Sequence, residues 1–507
     1  MNIQEAKEEI ARARRVYHRR DESGGYVTSP QRQRPILLIG PPGIGKTAIM
    51  EQIAREEGIG LVAYTMTHHT RQSAIGLPHI VTRRYDGKEY TITEYTLSEI
   101  IASVHECMER TSCREGILFI DEINCVSETL SPVMLQFLQN KMFGAHRVPR
   151  GWMIVAAGNP PEYNRAAREF DIVTLDRVRE LKVEADVNCW LRYADANQVH
   201  GAVISYLHMH PEDFYRAERG TEGLSFVTAR GWEDLSGLLQ GYEELELEVS
   251  DELFQEFLQS PGIARRFASH YRIYRAHGQD YRIPAILDGT IGSEEKMRGQ
   301  ELLRLAAPDE QLTVVWQMIT CIRNQIGCAV RLQKEGEVLK TLLGQLAGAQ
   351  NQRAAAGEWL EQQEELLRVK VDQDLISYEE EKRIRLALDR IGKEIEKLRR
   401  EHKTPDQPEV LGEMKAAVET DVLEGLQRQA EQANAWLTRG LIWLEETFGE
   451  ELEENPYLRL LITSMTDQPR RRTFLERYPN PRLKELSRFL VAEQDEEALR
   501  QMCREAE

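Results

Sequence analysis

Pro35-Ile36-Leu37-Leu38-Ile39-Gly40-Pro41-Pro42-Gly43-Ile44-Gly45-Lys46-Thr47 is the stretch on which the fold turns. Its first five residues are an apolar run of strand length, and its last eight fit G-x-x-x-x-G-K-[ST]. Gly40, Gly43 and Gly45 let backbone N–H groups close around phosphate oxygens, with Pro41, Pro42 and Ile44 in the variable positions. Lys46 is placed to reach the β- and γ-phosphates, and the Thr47 hydroxyl to bind Mg²⁺. A helix is predicted from Lys46 onward, with Ile49, Ile53 and Ala54 on one face, and its positive end points at the same phosphates. Strand, loop and helix in this order read as a nucleotide site.

Further apolar runs follow at Leu61–Thr65, Ile117–Ile120, Met153–Ala157 and Val178–Val183, separated by helical or loop segments. The alternation predicts an α/β P-loop NTPase core, a parallel sheet flanked by helices. One of these runs ends Ile117-Leu118-Phe119-Ile120-Asp121-Glu122. Two carboxylates at the end of a buried strand are costly unless a cation is present, so Asp121 is the expected Mg²⁺ partner. Glu122 is then placed to polarise an attacking water. The acid pair favours hydrolysis over transfer to a second substrate, and the absence of an N-K-x-D motif favours ATP over GTP.

Three more positions complete the reading. Asn159 ends the strand Met153–Ala157 just before Pro160 and Pro161. It can hold the lytic water near the γ-phosphate, or it can serve as a turn former before proline. In Asp171-Ile172-Val173-Thr174-Leu175-Asp176-Arg177-Val178-Arg179, an arginine can face a neighbouring subunit and stabilise charge on the transferred phosphoryl group. Arg177 is preferred to Arg179; the alternative for either is a surface ion pair. Phe226-Val227-Thr228-Ala229-Arg230-Gly231-Trp232 opens a helix from which Arg230 can reach back to the nucleotide.

In order and spelling these motifs resemble the MoxR-type AAA+ ATPases over residues 35–240. The resemblance rests on GPPGIGKTAIMEQIA, Gly76-Leu77-Pro78, ILFIDEIN, VPRGWMIVAAGNP, LDRV, the Trp190–Ala194 segment and FVTARGWED. By resemblance Lys46, Thr47, Asp121, Glu122, Asn159, Arg177 and Arg230 take the Walker A, Walker B, sensor 1, arginine-finger and sensor 2 roles. Two positions depart from the family: Ala229 stands where it commonly has proline, and Val178 where phenylalanine is frequent. The resemblance implies a hexameric ring that remodels client proteins in a chaperone-like way. It also implies a partner with a von Willebrand factor A domain, whose D-x-S-x-S metal site does not occur in this sequence. The competing readings are a nucleic-acid motor of helicase or branch-migration type and a nucleotide-gated scaffold.

The rest of the 507 residues divides by pattern. Residues 1–34 read as an N-terminal helix and linker, 35–185 as the ATPase core, and 186–305 as an all-helical lid. Residues 306–450 read as a helical arm or bundle, and 451–507 as a small helical C-terminal region. Asp86-Gly87 marks a hairpin tip within the core, because the pair supplies the positive φ angles of a type I′ turn. A second insertion lies around Phe143–Pro149. In the C-terminal half, Leu342, Leu346, Ala349, Ala356, Leu360 and Leu367 recur at steps of three and four, with Arg353 in the seam. Ile384, Leu388, Ile391, Ile395 and Leu398 repeat the spacing. Two such segments joined near Gln373–Tyr378 form either an antiparallel arm of coiled-coil type or part of a packed bundle. Gly336, Gly344, Gly348 and Gly357 weigh against a long free helix.

Composition narrows the classes. Charged residues make up 29 % and no run reaches membrane-helix length, so a soluble chain is expected; the acidic start, Met1 to Ile10, is unlike a secretory leader, which points to the cytoplasm. A net charge of -18 argues against nucleic acid as the main partner. The basic segment Arg12–Arg20 reads as a solvated or docking face. Seven cysteines without a CxxC pair fit reduced thiols. His208-Met209-His210 and His68-His69 lack partners at metal-ligand spacing.

Overall fold

In the computed structural model the order of apolar runs becomes a parallel sheet. The structure describes residues 1–66, 76–164, 166–220, 223–351, 356–372, 376–401, 407–452 and 454–488. The chain forms two compact units, Met1–His200 with His210–Phe267 and Gly201–Met209 with Ala268–Glu507.

The first unit opens with α1 (Ile3–Tyr17), started by an Asn2–Glu5 capping box, which satisfies helix N–H groups that would otherwise lack partners. Then follow β1 (Ile36–Ile39), α2 (Lys46–Glu57), β2 (Gly60–Thr65), β3 (Pro78–Tyr85), β4 (Lys88–Tyr95), α3 (Glu99–Thr111) and β5 (Gly116–Asp121). After these come α4 (Ser131–Asn140), β6 (Met142–Phe143), β7 (His146–Arg147), β8 (Trp152–Gly158), α5 (Ile172–Leu175) and β9 (Arg179–Lys182). Five strands pair in the order β2-β5-β8-β1-β9, all parallel. Ile36, Leu38, Ile117, Phe119, Met153 and Val155 bury on one face, where α1 contributes Ala6, Ile10 and Ala13. Leu37, Leu118, Ile120, Ile154 and Ala156 bury on the other with Phe137 and Leu138 of α4. Burial on both faces is why these strands read as continuous apolar runs rather than alternating ones.

The expected hairpin is β3–β4, with Asp86 at φ 47 and Gly87 at φ 81 at its tip. Most of its side chains are exposed on both faces. The second insertion is the small hairpin β6–β7, whose Phe143 ring stacks on Phe137 at 4.0 Å. The basic segment of α1 docks on its own unit: Arg14 and Arg15 pair with Glu57, and Arg20 pairs with Glu115 at 2.8 Å.

Residues 186–305 are not all helical. Between α6 (Val187–Ala196) and α7 (Gly201–Met209) on one side and α8 (Ala229–Glu244) on the other lies an antiparallel hairpin, β10 (Arg216–Gly220) and β11 (Gly223–Val227). Its first strand, Arg-Ala-Glu-Arg-Gly, carries no alternating apolar signal, so the pairing is invisible to periodicity. The unit closes with α9 (Asp251–Phe257) and the start of α10 (Pro261–Asp280), where Trp232, Phe254 and Phe267 pack edge to face.

The second unit is helical. It contains α7, the rest of α10, then α11 (Ile283–Asp288), α12 (Ser293–Leu305), α13 (Pro308–Asn351), α14 (Ala356–Asp372), α15 (Tyr378–Arg400), α16 (Pro408–Phe448), α17 (Pro456–Thr466) and α18 (Pro469–Arg477). Helices α13 and α16 run antiparallel: Gln325 meets Gln429, and a Cβ at Gly336 would lie 2.7 Å from Val422. Gly336 thus sits where the Val422 side chain packs onto α13, and α13 continues through Gly344 and Gly348 because packing overrides propensity. Distally, Leu342 and Leu346 of α13, Trp359 and Leu367 of α14, Leu388 and Ile391 of α15, and Leu411 and Met414 of α16 share one apolar core. The heptad-like seams therefore face a four-helix cluster. Arg353 and Gln373 lie outside the described residues. Among those residues no helix is long and apolar enough to cross a membrane, and the six described cysteines are free.

Candidate functional site

The loop after β1 runs straight into α2. Gly43 and Gly45 hold φ 72 and 95, left-handed values that a side chain would strain. Gly43 also passes so close to Thr228 that a Cβ would lie 3.0 Å from its hydroxyl. Lys46, 8 % exposed, turns back over the loop. Its Nζ donates to the carbonyls of Gly40 and Pro41 and to Asn159 Oδ1, each at 2.8 Å. Burial lowers its pKa to about 8; Asp121 and Glu122 oppose that shift, and the Arg230 guanidinium adds to it. Charged groups from three parts of the sequence, Lys46, the Asp121-Glu122 pair and Arg230, therefore meet at the loop.

Thr47 Oγ1 donates to Asp121 Oδ2 at 3.1 Å, placing a hydroxyl and a carboxylate side by side. Both are hard oxygen donors of the kind Mg²⁺ takes. The Glu122 amide donates to the other Asp121 oxygen at 2.8 Å, so the aspartate is fixed from two sides. Glu122 itself has φ 55 and ψ 36, a conformation few non-glycine residues adopt. Strain of this kind, of order 1–3 kcal/mol, persists where surroundings over-determine it and clusters at functional sites.

Two side chains escaped the sequence reading. Asn124, 5 % exposed, donates from Nδ2 to the Asn159 carbonyl at 2.7 Å, so it ties the turn after Glu122 to the end of β8. Its only sequence signal is its place in the run Asp121-Glu122-Ile123-Asn124. Tyr215 donates its hydroxyl to the Pro42 carbonyl at 2.9 Å from the segment before β10, and its burial raises its pKa. The Arg230 amide, at the start of α8, donates to the Gly43 carbonyl at 3.2 Å, while Thr228 caps that helix through Gly231.

Gly40–Thr47, Asp121, Glu122, Asn159 and Arg230 thus come together, and Arg177 stands apart. It is exposed beyond α5, which Asp171 caps through Thr174 at 2.8 Å. The competing Arg179 is engaged by Glu9 of α1. His208 stacks on Trp316 at 4.2 Å. His210 lies beside Glu212 and Asp213, but Asp213 accepts two short hydrogen bonds from Arg266, at 2.6 and 2.7 Å, which occupy it as a ligand. His68 and His69 lie outside the described residues.

Residues 36–175 match the model of the ATPase family associated with various cellular activities (AAA). The match supports an AAA+ ATPase. It covers the strands β1, β5 and β8 that carry the P-loop, the acid pair and Asn159, and ends two residues before Arg177. No curated protein matches the chain.

Proposed function

We propose that the chain is a ring-forming AAA+ ATPase of MoxR type that hydrolyses Mg-ATP to remodel, assemble or activate a client protein, with a partner carrying a von Willebrand factor A domain. The observation that carries the hydrolytic reading is the convergence on one loop of the Lys46 ammonium, the Thr47–Asp121 pair and the strained Glu122. Thr47 and Asp121 would hold Mg²⁺, which neutralises phosphate charge when bound. The Lys46 ammonium, already buried, exchanges its carbonyl partners for β- and γ-phosphate oxygens. The amides of the glycine loop and of the α2 N-terminus orient the same phosphates. The Glu122 carboxylate accepts a hydrogen bond from the attacking water as the new bond to the γ-phosphorus forms. The bond to the β–γ bridging oxygen breaks, leaving ADP and inorganic phosphate. Asn159 orients that water, Arg230 approaches from α8, and Arg177, exposed and outside the cluster, serves the neighbouring subunit. The helical second unit is the region we assign to client or adaptor recognition. The ion pairs of Arg14, Arg15 and Arg20 with Glu57 and Glu115, together with the net charge of -18, favour the remodeller over the nucleic-acid motor.

Glu122→Gln tests the reading. It keeps size and polarity but cannot act as a carboxylate, so ATP affinity by calorimetry should be retained while turnover falls by roughly 10²-fold or more. Wild-type turnover in this variant would remove Glu122 from the chemistry.

A further inference from the structure

The turn that follows Glu122 is fastened to two other segments, and one buried side chain does most of the fastening. Asn124 Nδ2 donates to the carbonyl of Asn159, whose own side chain accepts from Lys46. The same Nδ2 reaches the Arg168 carbonyl at 3.4 Å, and the Arg168 amide donates back to the Asn124 carbonyl at 3.0 Å. Next to it, Asn164 Nδ2 donates to Cys125 Sγ at 3.2 Å. On the opposite side the Asn124 amide oxygen lies against Gly158, where a Cβ would come within 2.6 Å, so the end of β8 must be glycine for the asparagine to seat. From Arg168 the chain runs on through Phe170, packed on the core, to Asp171, the cap of α5, and then to Arg177.

A shift of Asn159 on loss of the γ-phosphate therefore meets a polar connection to the segment that carries the arginine. We propose that Asn124 is a positioning residue that couples the state of its own ATP site to the placement of Arg177 at the neighbour's site. The proposal rests on the trans role given to Arg177 above. Only an amide fits the connection, because two carbonyls must be met by N–H donors in a buried space, and a carboxylate of the same shape has none to offer.

The test separates the two sites by mixing. An Arg177→Ala protein keeps an intact ATP site but lends no arginine. A Glu122→Gln protein lends an arginine and binds ATP, but its own site is inactive. Together they should recover turnover. Adding Asn124→Ala to the Glu122→Gln donor cannot harm a site that is already silent, so any loss must pass through the arginine it presents. Recovered turnover should drop at least about fivefold, the low end of the roughly 5–150-fold range usual for coupling between sites. The donor's melting temperature should fall modestly, because two buried carbonyls lose their N–H partner, while its ATP affinity and its co-assembly by sedimentation should stay near those of Glu122→Gln. Asn124→Asp, which preserves shape, should lose as much as Asn124→Ala; a side chain that merely fills space would instead be rescued by it. Equal recovery with and without the Asn124 substitutions, in co-assembled rings, overturns the coupling alone. A parental mixture that co-assembles but stays inactive overturns the trans role of Arg177, and the coupling with it.

Discussion

Both compact units bury polar side chains with local and remote partners, but only one of them gathers such groups around a loop. In the helical unit, Thr447 Oγ1 donates to Trp443 one turn back on the same helix. Asn455 caps α17 through Leu458 and meets the carbonyls of Leu444 and Gly449 just upstream. These two are answered close by in sequence, as helix ends ordinarily are, whereas Asn480 donates to the Asn434 carbonyl and Ser205 meets His270 from remote segments. In the P-loop unit, Lys46 is answered by Asn159, Thr47 by Asp121, and Asn124 by Asn159 and Arg168, all remote in sequence. There a lysine is held well below its ordinary pKa and a glutamate sits in a left-handed conformation. Polar groups that only close buried hydrogen bonds mark architecture; a shifted lysine, a hydroxyl–carboxylate pair and a strained backbone brought to one loop mark chemistry.

The largest effect that could break this comparison lies at Arg177, which belongs to neither class. Arg177→Ala should bind ATP with near-normal affinity, since its guanidinium acts on charge that develops in the transition state. Hydrolysis should fall by roughly 10³-fold or more. Mixing it with Lys46→Ala should restore part of the activity in a concentration-dependent way. A mixture that stays inactive while co-assembling would return Arg177 to the surface and make Arg179 or Arg230 the next candidate.

The helical side of the comparison is sharpened by Ile391, fully buried at the centre of the four-helix cluster. Ile391→Ala should cost about 2–5 kcal/mol by emptying that volume. Calorimetry should show a lowered transition for the helical unit, with ATP affinity of the P-loop unit retained. An equal loss of ATP affinity would mean that the two units do not hold their structures separately.

The smallest effect concerns protons. The Lys46 pKa is lowered to about 8, so above that pH the ammonium becomes neutral in the nucleotide-free protein. Phosphate oxygens favour the charged form, so binding takes up a proton there and affinity falls as pH rises, by up to about tenfold per pH unit. Titrations at one alkaline pH in buffers of different ionisation enthalpy should reveal that uptake, and Lys46→Arg should abolish it. No uptake in the wild-type protein would mean the lysine stays charged without nucleotide.

How much of this was readable beforehand follows from where each interaction sits in the chain. The strands were legible because burial on both faces demands unbroken apolar runs, and the P-loop because backbone N–H groups can wrap phosphate only where Gly43 and Gly45 permit it. The Asp86-Gly87 hairpin was legible from its turn chemistry. Asn124 and Tyr215 were not, because an asparagine in a turn and a tyrosine far from Pro42 gain their roles only from folding. The hairpin β10–β11 was missed since its polar first strand buries too little to leave a period. The seams at Leu342–Leu367 and Ile384–Leu398 announced helices that must pack, but periodicity names a face, not the helices that cover it. Here they include α16 as well as each other.

The antiparallel pair α13 and α16 has a mechanical meaning. At 44 and 41 residues the two helices are rods of about 60–66 Å, braced along their length by contacts such as Gly336–Val422 and Gln325–Gln429. A braced strut resists bending and converts angle into distance. A rotation of about 5° at its root sweeps the far end through roughly 5–6 Å, the rise of one helical turn. Movements at the base too slight to disturb packing there thus become displacements at the four-helix tip large enough to change what a surface can touch.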